Sequence, residues 1–178
     1  MLTGFADNKG KLSKDGIWAS KLRLDQPLII AELIRKGFLE KLSPELLCAI
    51  ISIFVNDRYR DIIIDPSFKY QQKLLSNTFI EMVETVKDIM RLMEKNLFRI
   101  PEIQYWSAVV LFAWADGKSW DKIIKLTTVD EGDLAMLIFR TADNLRQIIS
   151  LADTHPELAK KARKSIDLIL KEPVIIPF

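Results

Sequence analysis

Apolar residues recur along most of this chain at spacings of three and four, the period that places side chains on one face of an α-helix. The clearest start lies at Ser43 and Pro44, which suit the cap and the first position of a helix. Residues 104–116 are apolar on all sides, a pattern typical of a helix buried among others. The pattern predicts helices over residues 14–24, 27–36, 43–55, 70–96, 104–116, 119–126, 130–153 and 156–171.

The remaining segments contain little that predicts a sheet. Residues 56–67 are interpreted as a connection, in which residues 62–64 suggest a short strand without a partner strand. The tail, residues 172–178, contains two prolines and is expected to be extended. We therefore predict an all-α fold, a single helical bundle of about seven or eight helices over residues 1–178, with a long central helix at residues 130–153.

Composition limits the possible functions. With 26 basic and 24 acidic residues, the net charge of +2 gives no strong electrostatic footprint for duplex DNA or an acidic membrane. One cysteine, Cys48, and one histidine, His155, exclude an internal disulfide and a metal centre rich in either residue type. Apolar runs stay far below the ~18 residues that span a bilayer, and no apolar signal segment opens the sequence. These features predict a cytoplasmic protein without a membrane-bound part.

The predicted helix over residues 130–153 carries two different faces. One stripe is mainly apolar and is expected to pack into the bundle, whereas the opposite stripe carries charged, amide and hydroxyl groups and one thioether. A solvated surface explains that second stripe, and so does a surface laid along a nucleic-acid strand. In the second interpretation Arg140 contacts a phosphate or stacks on a base, while Asp143 and Gln147 contact base edges or hold Arg140. The polar stripe comprises Asp133, Met136, Arg140, Asp143, Gln147 and Ser150.

Two other motifs for nucleotides and nucleic acids are weak. Gly117, Lys118 and Ser119 imitate the end of a P-loop, but Phe112 stands where the motif requires its first glycine, and a predicted helix precedes the motif instead of a strand. Residues 119–153 resemble a helix-turn-helix, whose second helix meets the major groove with its first residues. Those residues are acidic here, at 130, 131 and 133, and would repel phosphate.

Catalytic chemistry is not indicated by the remaining residues. Cys48 lies in an apolar helix and His155 precedes a proline, and neither stands near a nucleophile pattern. Trp106 and Trp114 are expected in the core, while the roles of Trp18 and Trp120 stay open. We therefore predict no catalytic residues and no metal site in this chain, and do not expect it to be catalytic alone.

Two stretches together resemble a known family, the DSHCT domain, the C-terminal helical domain of Ski-type DExH-box RNA helicases. The resemblance covers about residues 12–170, and a tryptophan–glycine helix end followed by an aspartate–glutamate–glycine helix start is its most specific part. The first stretch combines residues 16–22 (GIWASKL), 27–38 (PLIIAELIRKGF) and 42–47 (LSPELL); the second combines 113–120 (AWADGKSW), 130–134 (DEGDL) and 144–148 (NLRQI).

The resemblance implies a mechanical role. Domains of this family pack on the two motor domains of the helicase and touch the single strand with a long "ratchet" helix, which matches the helix that starts at residue 130. It places Arg140 and Asp143 where the family has strand-contacting basic and acidic residues, although Met136 stands where the family often has a further basic residue. Together with the polar stripe, it predicts nucleic-acid contacts at Met136, Arg140, Asp143 and Gln147. The family's nucleotide motifs are missing, so the chain is expected to be a fragment of a larger ATP-dependent helicase. ATP and Mg²⁺ would then bind the absent motor domains, and this fragment would need no cofactor.

Two alternatives stay open at this point. The chain could be a freestanding DNA-binding regulator built on residues 119–153, or a protein–protein docking module that uses apolar residues such as those at 175–178. The expected partners are single-stranded RNA or DNA and the motor domains of the parent protein.

Overall fold

A computed structural model describes residues 4–55, 63–66, 69 and 71–175. The described residues form nine helices and two isolated β-bridges, which confirms the predicted all-α class. The helices are α1 (Lys14–Ala19), α2 (Pro27–Arg35), α3 (Phe38–Lys41), α4 (Pro44–Ile53), α5 (Gln72–Lys95), α6 (Tyr105–Ala115), α7 (Trp120–Leu126), α8 (Glu131–Ile149) and α9 (Pro156–Ile169).

Local sequence signals account for several helix ends. The hydroxyls of Ser13 and Ser43 accept hydrogen bonds from backbone amides three residues later, as N-caps do. Gly37 and Gly117 adopt the left-handed backbone at φ 68° and 92°, conformations that favour glycine, and each follows the end of a helix. A proline opens each of α2, α4 and α9, where the missing amide proton costs nothing: Pro27, Pro44 and Pro156.

The core is centred on α4, which packs against α6, α8 and α9. All residues of α4 from Leu46 to Ile53 are buried, and so are all residues of α6 from Trp106 to Ala115, which confirms the prediction of a helix surrounded by others. Trp114 lies almost fully inside and donates from Nε1 to the carbonyl of Ile169 over 2.8 Å, tying α6 to the end of α9. Each fully buried large apolar side chain stabilises the fold by about 1.5–3 kcal/mol relative to leaving that side chain exposed.

The structure also corrects several predicted segments. The first helix ends at Ala19 instead of residue 24, and residues 20–26 form a loop before α2. Helix α8 ends at Ile149, so the predicted extension to residue 153 is wrong. Ile64 does have a partner, because it forms an antiparallel bridge with Thr127; residue 62 and most of the predicted connection lie outside the described residues.

The tail departs from the extended conformation predicted for it. The amides of Val174 and Ile175 both donate to the carbonyl of Lys171, which makes a turn. Residues 176–178 lie outside the described part of the chain. Among the helices that the structure describes, none combines the length and apolar character that crossing a membrane requires.

Candidate nucleic-acid interface

Helix α8 separates an apolar from a polar face as its sequence predicts. The inner face is buried against the bundle, and Thr141 satisfies its hydroxyl there by donating to the carbonyl of Leu137 over 2.7 Å. Met136 is 57% exposed on the outer side, and Asp143 is exposed as well. The buried positions include Leu134, Leu137, Ile138, Thr141, Leu145 and Ile148.

The loop between α1 and α2, residues 20–26, is held against α8 by polar contacts. Nδ2 of Asn144 donates to Oδ2 of Asp25 over 2.8 Å and to the carbonyl of Arg140 over 3.0 Å. In return, the backbone amide of Asp25 donates to Oδ1 of Asn144 over 3.3 Å. Asn144 is 5% exposed, and its amide group is satisfied from both sides, as a buried polar group requires.

Arg140 is held by a residue of this loop. Its Nη2 donates to Oδ1 of Asp25 over 3.0 Å, and both side chains keep about a third of their surface exposed, 32% and 31%. The carboxylate therefore compensates part of the positive charge, while the guanidinium still reaches solvent. Arg140 can contact a ligand, but as a paired cation with a fixed orientation.

The other two polar residues predicted on this face have different partners. Asp143 pairs with Arg146 one turn further along the helix, and both side chains are more than half exposed, so this pair adds little to stability. Gln147 accepts a hydrogen bond at Oε1 from the backbone amide of Arg23 over 3.3 Å. Gln147 thus supports the loop through Oε1, and its Nε2 amide group is the part that can donate to a ligand.

A polar groove of about 320 Å³ lies between the loop and α8. Arg140, Asp143 and Gln147 line this groove, so three of the four predicted contact residues come together. Met136 does not line it and stays exposed about one turn away on the same helix. The complete lining is Arg23, Leu24, Asp25, Arg140, Asp143, Asn144 and Gln147.

Sequence reasoning missed the contributions of Arg23, Asp25 and Asn144 to this groove. For Asn144 a signal was present, because it interrupts the buried side of α8 with an amide that needs partners. For Arg23 and Asp25 the sequence offers no comparable signal, since they approach α8 from more than 110 positions away.

The start of α8 is poorly suited to duplex DNA. Glu131 and Asp133 lie in its first turn, and Glu131 accepts a hydrogen bond from the indole of Trp120. That indole packs edge-on against Trp114, with ring centres 5.3 Å apart. Acidic groups at the position where a recognition helix meets phosphates disfavour the helix-turn-helix interpretation.

The lone cysteine and the lone histidine take part in packing. Cys48 is buried, its Sγ lies 3.3 Å from the carbonyl oxygen of Ser165, and burial raises the pKa of the thiol to about 12. His155 precedes the first turn of α9 and meets the ring of Trp18 edge-on, with centres 4.8 Å apart. A thiol with so high a pKa is a poor nucleophile at neutral pH.

Comparison with known proteins connects this geometry with a family. A family model described as the DSHCT (NUC185) domain matches residues 9–176. The chain belongs to the DSHCT family. The resemblance inferred from its tryptophan–glycine and aspartate–glutamate–glycine segments is therefore confirmed.

Curated proteins similar to this DSHCT chain carry helicase names. The DExH-box ATP-dependent RNA helicase DExH15, chloroplastic, of Arabidopsis thaliana is 30% identical over 173 residues, which cover 89% of this chain and 14% of that protein. The exosome RNA helicase MTR4 of Homo sapiens is 26% identical over 179 residues, covering 96% and 17%. The ATP-dependent RNA helicase mtr4 of Schizosaccharomyces pombe is 24% identical, covering 96% and 16%. The DSHCT chain thus spans less than a fifth of the length of these relatives.

Proposed function

We propose that this chain is the accessory, ratchet-type domain of an ATP-dependent DExH-box helicase and guides single-stranded RNA along the outer face of α8. Membership of the DSHCT family supports the helicase context, and RNA is favoured because the relatives named above are RNA helicases. The observation that carries the proposal is the polar groove in which Arg140, Asp143 and Gln147 come together beside the loop. A cytoplasmic location stays a prediction from composition.

The groove suits a single strand better than a duplex. The guanidinium can meet a phosphate or a base face, and the carboxylate and the amide can meet base edges, all of which unpaired nucleotides expose. Met136 adds an exposed apolar surface near this row, where a base could stack. With a net charge of only +2, the chain binds strands weakly by itself. It therefore works beside the stronger contacts of motor domains.

The motor domains would supply the movement of the strand. The 178 residues contain no complete P-loop and no DExH motif, so ATP and Mg²⁺ would bind elsewhere in the parent protein. In the proposed mechanism, ATP-driven movement of the motor domains steps the strand past Arg140, and α8 holds the strand between steps.

An unwinding assay with the full-length helicase tests this function. Arg140→Glu should slow unwinding of a tailed RNA duplex, because it replaces an attraction for the strand by a repulsion, while basal ATP hydrolysis stays near the wild-type rate. Arg163→Glu is the matched control, since Arg163 is exposed on α9 and lies outside the groove. Equal unwinding rates for wild type and Arg140→Glu would contradict the proposal.

The coding sequence that precedes this chain in the gene offers an independent test. A reading frame continuous with Met1 that encodes a P-loop and a DExH motif is the expected result. A stop codon and a ribosome-binding site directly upstream would remove the motor from the mechanism and favour duplex binding or protein docking.

A further inference from the structure

We infer that Arg23, in the loop between α1 and α2, supplies the main phosphate contact of the groove. This inference rests on the proposed function and assigns the electrostatic part of strand binding to a residue outside α8. It replaces the simpler expectation that Arg140 alone attracts the backbone of the strand.

The distribution of charge around the groove carries the inference. Arg140 has the carboxylate of Asp25 at 3.0 Å, and Asp143 pairs with Arg146, so both charged side chains that α8 contributes to the groove have a compensating neighbour. Arg23 is exposed, and no residue in the described part of the chain forms an ion pair with it. A cation without a partner attracts a phosphate with its full charge and releases counterions on binding. The attraction of a paired cation is reduced by the neighbouring carboxylate.

The position of Arg23 is fixed although its side chain reaches solvent. Its backbone amide donates to Gln147, and the amide of Asp25, two residues later, donates to Asn144. Leu22 on the other side is buried in the core, which anchors the loop from below. The loop therefore holds the Arg23 backbone at the rim of the groove before any ligand arrives, which lowers the entropy cost of binding.

The groove consequently has two different walls. The loop contributes Arg23, which recognises the strand by charge and without regard to sequence. Helix α8 contributes Asp143 and Gln147, whose acceptors and amide protons can meet base edges. A single strand with its phosphates toward the loop and its bases toward α8 matches this arrangement.

Fluorescence anisotropy on the purified 178-residue chain tests the inference. The probe is a labelled oligouridylate, titrated at about 50 and 200 mM salt to obtain both the Kd and its salt slope. We expect Arg23→Gln to raise the Kd about three- to tenfold and to reduce the salt slope by about 0.7, the value for one lost phosphate contact on a single strand. Arg163→Gln is the control, because it removes the same charge from an exposed position on α9 outside the groove. Thermal unfolding verifies that each variant keeps its fold.

The outcomes separate this inference from the proposed function. If Arg23→Gln binds like Arg163→Gln while Arg140→Gln loses affinity and salt slope, the inference is overturned and strand binding on α8 remains. If neither Arg23→Gln nor Arg140→Gln lowers the affinity for oligouridylate at about 50 mM salt, strand guidance by this groove is overturned, and the role of Arg23 with it. A loss for Arg23→Gln that is equal on oligouridylate and oligoadenylate supports a phosphate contact.

Discussion

Oδ1 of Asp25 accepts a hydrogen bond from Nη2 of Arg140 over 3.0 Å, although the two residues lie 115 positions apart in the chain. The other carboxylate oxygen of Asp25 accepts from Asn144, one turn further along α8. One side chain thus fixes both the loop before α2 and the orientation of the arginine on the outer face. The position of the loop and the orientation of Arg140, the proposed strand contact, are therefore coupled through Asp25.

This coupling predicts opposite effects of Asp25→Asn on stability and on binding. The free energy of unfolding should fall by at most about 1 kcal/mol, because the lost ion pair is partly exposed and screened. Affinity for a labelled oligouridylate should rise about two- to fivefold, since a negative charge leaves the groove and Arg140 loses its compensating neighbour. Denaturant unfolding and anisotropy titrations measure the two quantities.

Asp167→Asn, at an exposed position on α9, is the control. Weaker binding by Asp25→Asn would show that orienting Arg140 outweighs freeing its charge.

The N-terminal segment should depend strictly on glycine at position 16. A Cβ built at Gly16 would lie 1.9 Å from the carbonyl oxygen of Phe5, which also accepts from the amide of Ser13. Gly16→Ala should therefore displace this segment and destabilise the protein by about 1–3 kcal/mol. Gly132→Ala is the matched control, because no neighbouring atom lies within 4 Å of a Cβ there, and we expect it to add about 0.4–1 kcal/mol. Urea unfolding followed by tryptophan fluorescence measures the stability of both variants. Equal unfolding midpoints for Gly16→Ala and Gly132→Ala would refute the steric argument.

Lys171 should make the free energy of unfolding pH-dependent in the alkaline range. Its Nζ donates to the carbonyl of Trp114 over 2.8 Å, and burial lowers the pKa of its ammonium below the ordinary 10.5. Just below pH 10.5 the unfolded chain therefore binds more protons at this residue than the native state, so its contribution to stability rises with pH. The difference in unfolding free energy between wild type and Lys171→Met should increase as the pH rises toward 10.5.

The comparison with an exposed lysine makes this measurement specific. Lys164→Met removes an exposed lysine from α9, and its unfolding free energy should change with pH in parallel with that of wild type. If the unfolding free energies of wild type and Lys171→Met changed in parallel with pH, a lowered pKa at Lys171 would be contradicted.

Cys48 should report on opening of the core. The thiol is fully buried and burial raises its pKa to about 12, so alkylation of the native protein near pH 8 should be slow and should follow unfolding. Labelling with a thiol reagent in increasing urea measures the rate. The variant Cys48→Ser with Ser150→Cys carries its only thiol at an exposed position and should react fast in the native state. Native labelling of Cys48 at that fast rate would refute the burial.

Much of the helical architecture could be predicted because its signals are local. A serine that caps, a proline at the first position and apolar residues every three or four positions act within a few residues, so the sequence alone shows the start of α4 and the burial of α6. The two faces of α8 follow from the same period. These features need no knowledge of what each helix packs against.

The end of α1 shows why other features could not be predicted. Residues 20–24 are compatible with a helix, and the pattern favoured its continuation. In the structure, the amides of Arg23 and Asp25 instead donate to Gln147 and Asn144 on α8. Side-chain oxygens from a distant helix thus accept the hydrogen bonds that backbone carbonyls would accept if α1 continued. The sequence of residues 14–26 alone cannot show that these acceptors lie nearby.

The sequence by itself determined the helical class, most helix starts, the family resemblance and the polar stripe of α8. Only the tertiary structure decided that Arg140 is a paired cation, that Asn144 and Gln147 hold a loop, and that Arg23 stands at the rim of the same groove. The reason is physical: helix periodicity is set by neighbouring residues, whereas the charge that a ligand meets is set by the groups that folding brings within a few ångströms.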